Sequence, residues 1–357
     1  MPLQKLREKI EAAGLDALLV TQAENRRYLS GFTGSAGVLL ITPTRQLLLT
    51  DSRYYEQVRR EAPDWELVEA GYQTFRRLAE LLPELELGGA KIGFEADDVT
   101  VARFRAMQEA LDGVNLVETD GLVAGLRAVK SADELDAIRK AVALADETMA
   151  HLYEWIQPGM TEKEVAWELE VYMRTRGASA LSFEAIVAAG PNSALPHATP
   201  SDAVIQPGDV VLVDMGCVVG GYCSDLTRTF SLGEPRAPQF EAVWGLVEQA
   251  CAAAEAGIRA GMSGKAADAL ARDVIAAAGH GDHFGHSLGH GVGLAIHEMP
   301  RLSYAAEDPL PEGAVVTIEP GVYLPGEFGV RLEDMAVVTA GGMEVLTRVP
   351  KVKSVPR

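Results

Sequence analysis

The stretch VLVDMGCVVGGYCSDLTRTF (residues 211–230) sets Asp214 inside an apolar, strand-like run, turns at a Gly-Gly pair and brings Asp225 back on the return. Ionised carboxylates are rarely buried unless something positive is buried with them. The stretch holds no lysine, and its only arginine is Arg228. The two aspartates therefore face either water or a cation. A turn at Val219-Gly220 makes them direct cross-strand partners, whereas a turn at Gly220-Gly221 makes them diagonal neighbours. Both registers keep them on one face of the hairpin. Two like charges that close repel each other unless a cation sits between them.

The device recurs. VVTIEPGVYLPGEFGVRLEDMAVV (residues 315–338) reads strand, Gly-Pro-rich turn, strand, with Glu319 ending the first arm and Glu333 in the second. The recurrence belongs to a longer internal duplication. IQPGMTEKEVAWELEVYMRTRGA from Ile156 resembles IRAGMSGKAADALARDVIAAAG from Ile258, each with a hydroxyl residue placed to cap a helix. LPHATP (Leu195–Pro200) resembles AIHEMP (Ala295–Pro300), and QPGDVVLVDMG from Gln206 resembles PEGAVVTIEPG from Pro311, which aligns Asp214 with Glu319. Any one of these acids taken alone reads equally well as a solvent-facing strand residue. Four of them at duplicated places in two hairpins argue for a shared cation site.

Between the hairpins lies FGHSLGHGVGLAIHEMPR, and five of the seven histidines fall between Gly279 and Glu298. Glycine allows close backbone approach, so His286, His290 and His297 can converge on one place. His297-Glu298 is followed by Met299, Pro300 and Arg301, so the segment is not the HExxH helix of a mononuclear zinc site. Four carboxylates and at least one imidazole exceed the needs of one tetrahedral zinc ion. They suit two divalent ions about 3.5 Å apart that share a hydroxide. Carboxylate-rich ligation leans toward Mn²⁺, with Co²⁺, Zn²⁺ or Fe²⁺ as other occupants.

The elements that must hold these residues follow from pattern. Residues 1–125 alternate helical and strand-like runs (LDALLV, GVLLIT, QLLLTD, KIGFEAD), as a small α/β domain does. Residues 126–357 form the duplicated α+β part, opened by a charged helix whose Ser131 and Glu134 fit a capping box. Lys plus Arg number 32 against 51 Asp plus Glu, and the net charge of −19 disfavours nucleic acid as a partner. No run approaches the ~18 apolar residues of a membrane span, and the first residues lack the apolar region of a signal peptide. Cys217, Cys223 and Cys251 read as reduced thiols in a cytoplasmic protein, with a Cys217–Cys223 cross-hairpin disulfide as the alternative.

Together VLVDMGCVVGGYCSDLTRTF, GHGVGLAIHE, TIEPGVY and GVRLEDM resemble, in order, the motifs of the pita-bread metallopeptidases, and within them the Xaa-Pro peptidases (aminopeptidase P and prolidase). YLSGFTGSAG and LLLTDSRYYEQ resemble the creatinase-like N-terminal domain of the same enzymes, so the resemblance covers almost the whole chain. It implies a pita-bread fold and a metal set of Asp214, Asp225, His290, Glu319 and Glu333, with Asp225 and Glu333 bridging the two ions. It implies that His197 and His297 contact the scissile peptide, that His286 lines the proline pocket, that Arg331 supports the site electrostatically and that Tyr323 donates a hydrogen bond. The implied reaction is attack of a bridging hydroxide on the Xaa-Pro carbonyl, with Glu319 moving a proton to the leaving imino nitrogen.

Aminopeptidase action on the N-terminus of proline-containing peptides is the first expectation, and prolidase action on dipeptides the alternative. Arg301 resembles an arginine that holds a dipeptide's free carboxylate in some prolidases; a surface arginine at a strand start is the plain alternative. Family habit implies a homodimer, in which Asp51 and Arg53 reach a neighbouring protomer's site unless they form a local ion pair. A creatinase-type hydrolase does not need the metal set, and a methionine aminopeptidase commonly lacks the N-terminal domain. A catalytically inactive peptide-binding module typically loses metal ligands. A two-metal phosphatase lacks a phosphate loop or basic patch here.

Overall fold

Along the first strands, successive side chains enter two different apolar layers. Ala17 and Leu19 pack in one cluster and Leu18 and Val20 in another, and Val38 and Leu40 part from Leu39 and Ile41 in the same way. Such runs, apolar on both faces, make a strand that is covered on both sides. A computed structural model, which describes residues 2–357, divides the chain into a unit ending at Arg127 and a unit starting at Ala128.

The first unit has strands β1 (Ala17–Val20), β2 (Val38–Ile41), β3 (Gln46–Thr50), β4 (Glu66–Glu69), β5 (Lys91–Glu95) and β6 (Asn115–Thr119) in one mixed sheet of order β4-β3-β2-β1-β5-β6. Its helices are α1 (Pro2–Ala12), α2 (Ala23–Ser30), α3 (Tyr55–Glu61), α4 (Thr74–Leu81), α5 (Val101–Ala110) and α6 (Ala124–Arg127). Leu6 and Ile10 of α1 and Val58 of α3 cover one face, while Leu78 of α4 and Met107 of α5 cover the other. This is the α/β creatinase-like unit that the sequence predicts.

The second unit is built twice. Helices α7 (Ala132–Trp155) and α8 (Glu162–Thr175) pack on a sheet that includes β8 (Ile186–Ala189), β9 (Val210–Met215) and β12 (Leu226–Leu232). The hairpin's outer arms, β10 (Cys217–Val219) and β11 (Tyr222–Cys223), join β7 (Ala180–Leu181) in a separate small sheet. Helices α9 (Phe240–Gly257) and α10 (Gly264–Ala277) pack on the equivalent sheet of β13 (Gly289–Gly291), β14 (Glu298–Leu302), β15 (Val315–Ile318), β18 (Asp334–Thr339) and β19 (Gly342–Val345). Its hairpin's outer arms are β16 (Gly321–Leu324) and β17 (Phe328–Arg331), and β20 (Ser354–Val355) pairs with β12.

The duplication reaches individual hydrogen bonds. Gly159 N donates to Ile205 O and Ile205 N to Met160 O, while Gly261 N donates to Leu310 O and Leu310 N to Met262 O. Thr161 and Ser263 cap α8 and α10 by accepting from Glu164 N and Ala266 N, and Ser131 with Glu134 closes the capping box of α7. Among the described residues no helix is long and apolar enough to cross a membrane. All three cysteines are free and buried, which decides against the cross-hairpin disulfide.

Both hairpins break beside their acids, although Asp214 itself stays within β9. Val218 pairs with Cys223 around Gly220-Gly221, whose φ values of 61° and 91° suit a two-residue turn, and Asp214 pairs with Thr227. The register is therefore the diagonal one. Asp225 does not lie within a returning strand as expected but in the gap between β11 and β12. A Cβ on Gly216 would meet Ser224 O at 2.0 Å, so the kink there requires glycine. In the second hairpin Ile318 pairs with Asp334 and Gly321 with Arg331, which leaves Glu319 and Glu333 in the gap between the two sheets. The expectation that Glu333 sits within a strand is corrected likewise.

Arg228, 2% exposed as a side chain, joins the halves. Its Nη1 donates to Thr227 O (3.0 Å) and Glu333 O (2.6 Å), and its Nη2 to Asp334 Oδ1 (2.8 Å) and Val349 O (2.8 Å). Removing one partner of a buried pair leaves a desolvated charge and three carbonyls unserved. Arg228→Met is expected to lower the stability of this unit by about 3 kcal/mol. A urea titration reads this as a lower midpoint at unchanged slope.

Candidate metal centre

Asp214, Asp225, His290, Glu319 and Glu333 converge on the wall of one pocket of about 570 Å³ in the second unit, together with His197, His286, His297, Arg301 and Arg331. Tyr323 stands directly behind that wall. Facing oxygens and nitrogens of Asp225, His290 and Glu333 lie within 4.8 Å of one another. His290 Nε2 is 3.6 Å from Asp225 Oδ2 and 3.4 Å from Glu319 Oε1.

The acids arrive from both halves: Asp214 points from β9, while the breaks in the hairpins free Asp225, Glu319 and Glu333 from the sheet alternation. Thr227 Oγ1 donates to Glu333 Oε2 at 2.6 Å, and Thr317 Oγ1 to Glu319 Oε1 at 3.2 Å. These two threonines, one on β12 and one on β15, orient the carboxylates, a role that reading the sequence for acids and histidines missed. Asp214 is held by Arg331, whose Nη2 donates to Asp214 Oδ2 at 2.6 Å, while Asp214 Oδ1 is buried with no hydrogen-bond partner. Arg331 Nη1 also donates to Tyr323 Oη (2.8 Å), and Tyr323 Oη lies 2.9 Å from His286 Nε2.

Electrostatically the cluster is under tension. Burial first, and then the neighbouring Glu333, Asp214 and Glu319, push the Asp225 carboxyl well above the usual range. Burial and the negative neighbours do the same to Glu333, and burial drives Glu319 up to about 8. Burial, with His297 beside it, lowers His290 to about 3. Its Nδ1 lies 3.1 Å from Gly291 O, which can only accept, so Nδ1 carries the proton and Nε2 turns a lone pair toward two carboxylates. An imidazole lone pair, an orphaned buried Asp214 oxygen and three carboxyls driven up chiefly by burial are complementary to divalent cations. The donor set therefore fits the two-ion expectation.

A second buried group, Cys251, Glu255 and Asp334, also has metal-ligating atoms close together. Lys351 and Arg228 already neutralise it, Lys351 pairing with Glu255 at 3.0 Å and with Asp334, and Arg228 with Asp334 at 2.8 Å. It needs no ion.

His197 and His297 are exposed on the pocket wall, and the His297 ring stands edge-on to His290 at 4.3 Å. Arg301 is exposed, and its backbone pairs with that of His290. Phe183 and Ile186 supply an apolar wall that the sequence reading did not single out. The duplication carried the signal, since FEAIVA stands in the first half where FGHSLG stands in the second, and Ile186 pairs with Asp214. In the first unit Asp51 and Arg53 form the local ion pair, with Arg53 Nε 2.8 Å from Asp51 Oδ1.

Comparison with known proteins gives a uniform picture. Residues 136–340 match the model of metallopeptidase family M24, and residues 2–129 match the creatinase/prolidase N-terminal domain. The chain is 41% identical over 351 residues to the uncharacterized peptidase YqhT of Bacillus subtilis, covering 98% of this chain and 99% of that protein. It superposes on the structure of an Xaa-Pro dipeptidase from Bacillus anthracis with a TM-score of 0.95 at 42% identity, covering 99% of this chain and 98% of that one. It superposes on an X-Pro aminopeptidase from Thermotoga maritima MSB8 with a TM-score of 0.88 at 38% identity, covering 97% of this chain and 100% of that one.

The raised carboxyls fix the pH response of the metal-free chain. A carboxyl whose folded pKa exceeds its unfolded value binds protons on folding, so its contribution is fully present below the unfolded pKa and fades as pH rises through the folded one. For Glu319 that window runs from about 4.5 to about 8. Thermal melts in EDTA are expected to show a midpoint that falls as pH rises across this window. Mn²⁺ at a hundred times its dissociation constant should restore about 2.7 kcal/mol at neutral pH. Melts that ignore both pH and Mn²⁺ would exclude an ion at this cluster.

Proposed function

The chain belongs to metallopeptidase family M24, and from that premise we propose that it is an exopeptidase hydrolysing the peptide bond before proline in short peptides. The observation that carries this reading is the convergence of the five ligand-type residues on one pocket that also presents His197, His297 and Arg301. Asp214, Asp225, His290, Glu319 and Glu333 would hold two divalent ions, with Mn²⁺ the occupant best matched to four carboxylates and one imidazole. Bound there, such ions supply an acidified water at neutral pH and polarise the scissile carbonyl.

The chain's own groups do the rest. Arg331 fixes Asp214 and offsets part of the negative charge of the acids. The Glu319 carboxyl takes a proton from the attacking water and delivers it to the imino nitrogen of the departing proline. His297 and His197 face the peptide and donate hydrogen bonds to the carbonyl oxygen as it gains charge. Proline offers no N–H, so the pocket recognises it by ring shape against His286 and the apolar wall of Phe183 and Ile186.

Arg301 favours dipeptides. An exposed guanidinium on the pocket wall suits bidentate capture of a free carboxylate. The dipeptidase name of the Bacillus anthracis relative supports the same side. The N-terminal GFTGS and TDSRYY motifs and the Thermotoga maritima relative support aminopeptidase action as the second reading.

Product release from Ala-Pro and Ala-Pro-Ala with Mn²⁺ and then with EDTA tests the proposal. Ala-Pro cleavage that EDTA abolishes is expected, and Arg301→Ala should raise KM for Ala-Pro about tenfold or more while sparing kcat. Preferential cleavage of the tripeptide would favour the aminopeptidase reading. No metal-dependent cleavage of either would overturn both.

A further inference from the structure

The segment from Phe284 to Leu288 carries His286 into the pocket, yet it belongs to no strand, so sheet pairing does not satisfy its backbone groups. Two side chains of α10 satisfy them. Arg272 Nη1 donates to Phe284 O at 2.8 Å and Nη2 to His286 O at 2.8 Å, while Asp268 Oδ1 accepts from Leu288 N at 2.9 Å. Asp268 and Arg272 are locked to each other at 2.6 and 2.9 Å, and Asp268 is 1% exposed. The Arg272 guanidinium also lies over the Phe284 ring, 4.2 Å from its centre, and that ring meets His286 edge-on at 5.1 Å. The pair thus grips alternate residues of one extended segment, as a neighbouring strand would. Its partner on the far side is Glu319 N, which donates to Leu288 O at 2.8 Å.

We propose that Asp268 and Arg272 are positioning residues for substrate recognition: they set the height and tilt of the His286 ring in the pocket and thereby the affinity for the residue after the scissile bond. The inference rests on the Xaa-Pro peptidase reading for the identity of that residue. Arginine is required in this role because a planar guanidinium spans two carbonyls and a carboxylate at once, which the point charge of lysine cannot do. Glu333, Glu319 and Asp214 have separate side-chain anchors in Thr227, Thr317 and Arg331, so Mn²⁺ affinity reads whether loosening the α10 grip stays confined to His286 or spreads through the bond between Leu288 and Glu319.

The test uses the Mn²⁺-loaded full chain. Arg272→Ala is expected to raise KM for Ala-Pro about tenfold with kcat within about twofold of the parent. Mn²⁺ affinity by calorimetry should stay unchanged, and guanidinium at millimolar concentration should restore KM. Arg272→Lys, which keeps the charge and a good helix former, should fold and still show the raised KM. The ring resonances of His286, assigned by their loss in His286→Gln, should shift in both Arg272 variants. An unchanged KM together with an unchanged ring signal would overturn the proposal, and so would a parallel loss of Mn²⁺ affinity. If the parent chain cleaves no Xaa-Pro peptide, the functional reading falls on that result alone. The ring resonances then still decide whether the pair positions His286.

Discussion

The structure of the second unit is governed by the cost of bringing four carboxylates and an imidazole lone pair out of water into one pocket. An isolated carboxylate in a protein interior neutralises itself rather than stay charged, which is the direction in which Asp225, Glu319 and Glu333 are driven. Two arginines limit the damage without removing it. Arg331 serves Asp214, and Arg228 serves Asp334 and the carbonyl of Glu333. Neither guanidinium bonds the carboxylate of Asp225 or Glu333, so their charge is left without a paired arginine. A fold that concentrates it so sharply, and orients three of the four acids with a threonine or arginine, suits the binding of cations.

The duplicated architecture supplies the acids at the right separation. The second helix of each pair has the same hydroxyl cap, the backbone bonds beside it recur, and each hairpin passes from one sheet to another beside its acids. A continuous hairpin would force neighbouring residues to opposite faces. The gaps at Glu319-Pro320 and Leu332-Glu333 relax that alternation. The backbone groups exposed there are met from the other half: Glu333 N donates to Thr227 O at 3.1 Å. The two copies are therefore joined through the backbone of the very residues that line the site.

Much of this was legible in the sequence because it is local or repeated. The caps at Ser131, Thr161 and Ser263, the Gly-Gly turn and the alignment of Asp214 with Glu319 all follow from short-range chemistry or from matching one half with the other. What the sequence hid is long-range. Leu332-Glu333-Asp334 carries no glycine or proline to announce a break in the strand, and the break exists only because two sheets meet there. Arg331 and Asp214 are 117 positions apart, so their pairing appears only in the fold. Asp268 and Arg272 read as an ordinary i,i+4 pair on an amphipathic helix, and only burial against the 284–288 segment distinguishes them.

The hydrogen bonds behind the pocket also have a direction, and it limits what His286 can do. Arg331 has donors only, so Tyr323 Oη accepts from it and its own proton goes to His286 Nε2. Ser287 O accepts from His286 Nδ1 at 2.9 Å, so both ring nitrogens are committed and the imidazole is neutral. Burial, with Arg331 as a second cause, drives its pKa down to about 4 and keeps it so at neutral pH. A histidine spent in this way offers the pocket its ring carbons and π face rather than a donor or an acceptor. Beside Phe183 and Ile186 it acts as part of an apolar surface, which suits a ring that has no N–H to offer and must be recognised by its shape.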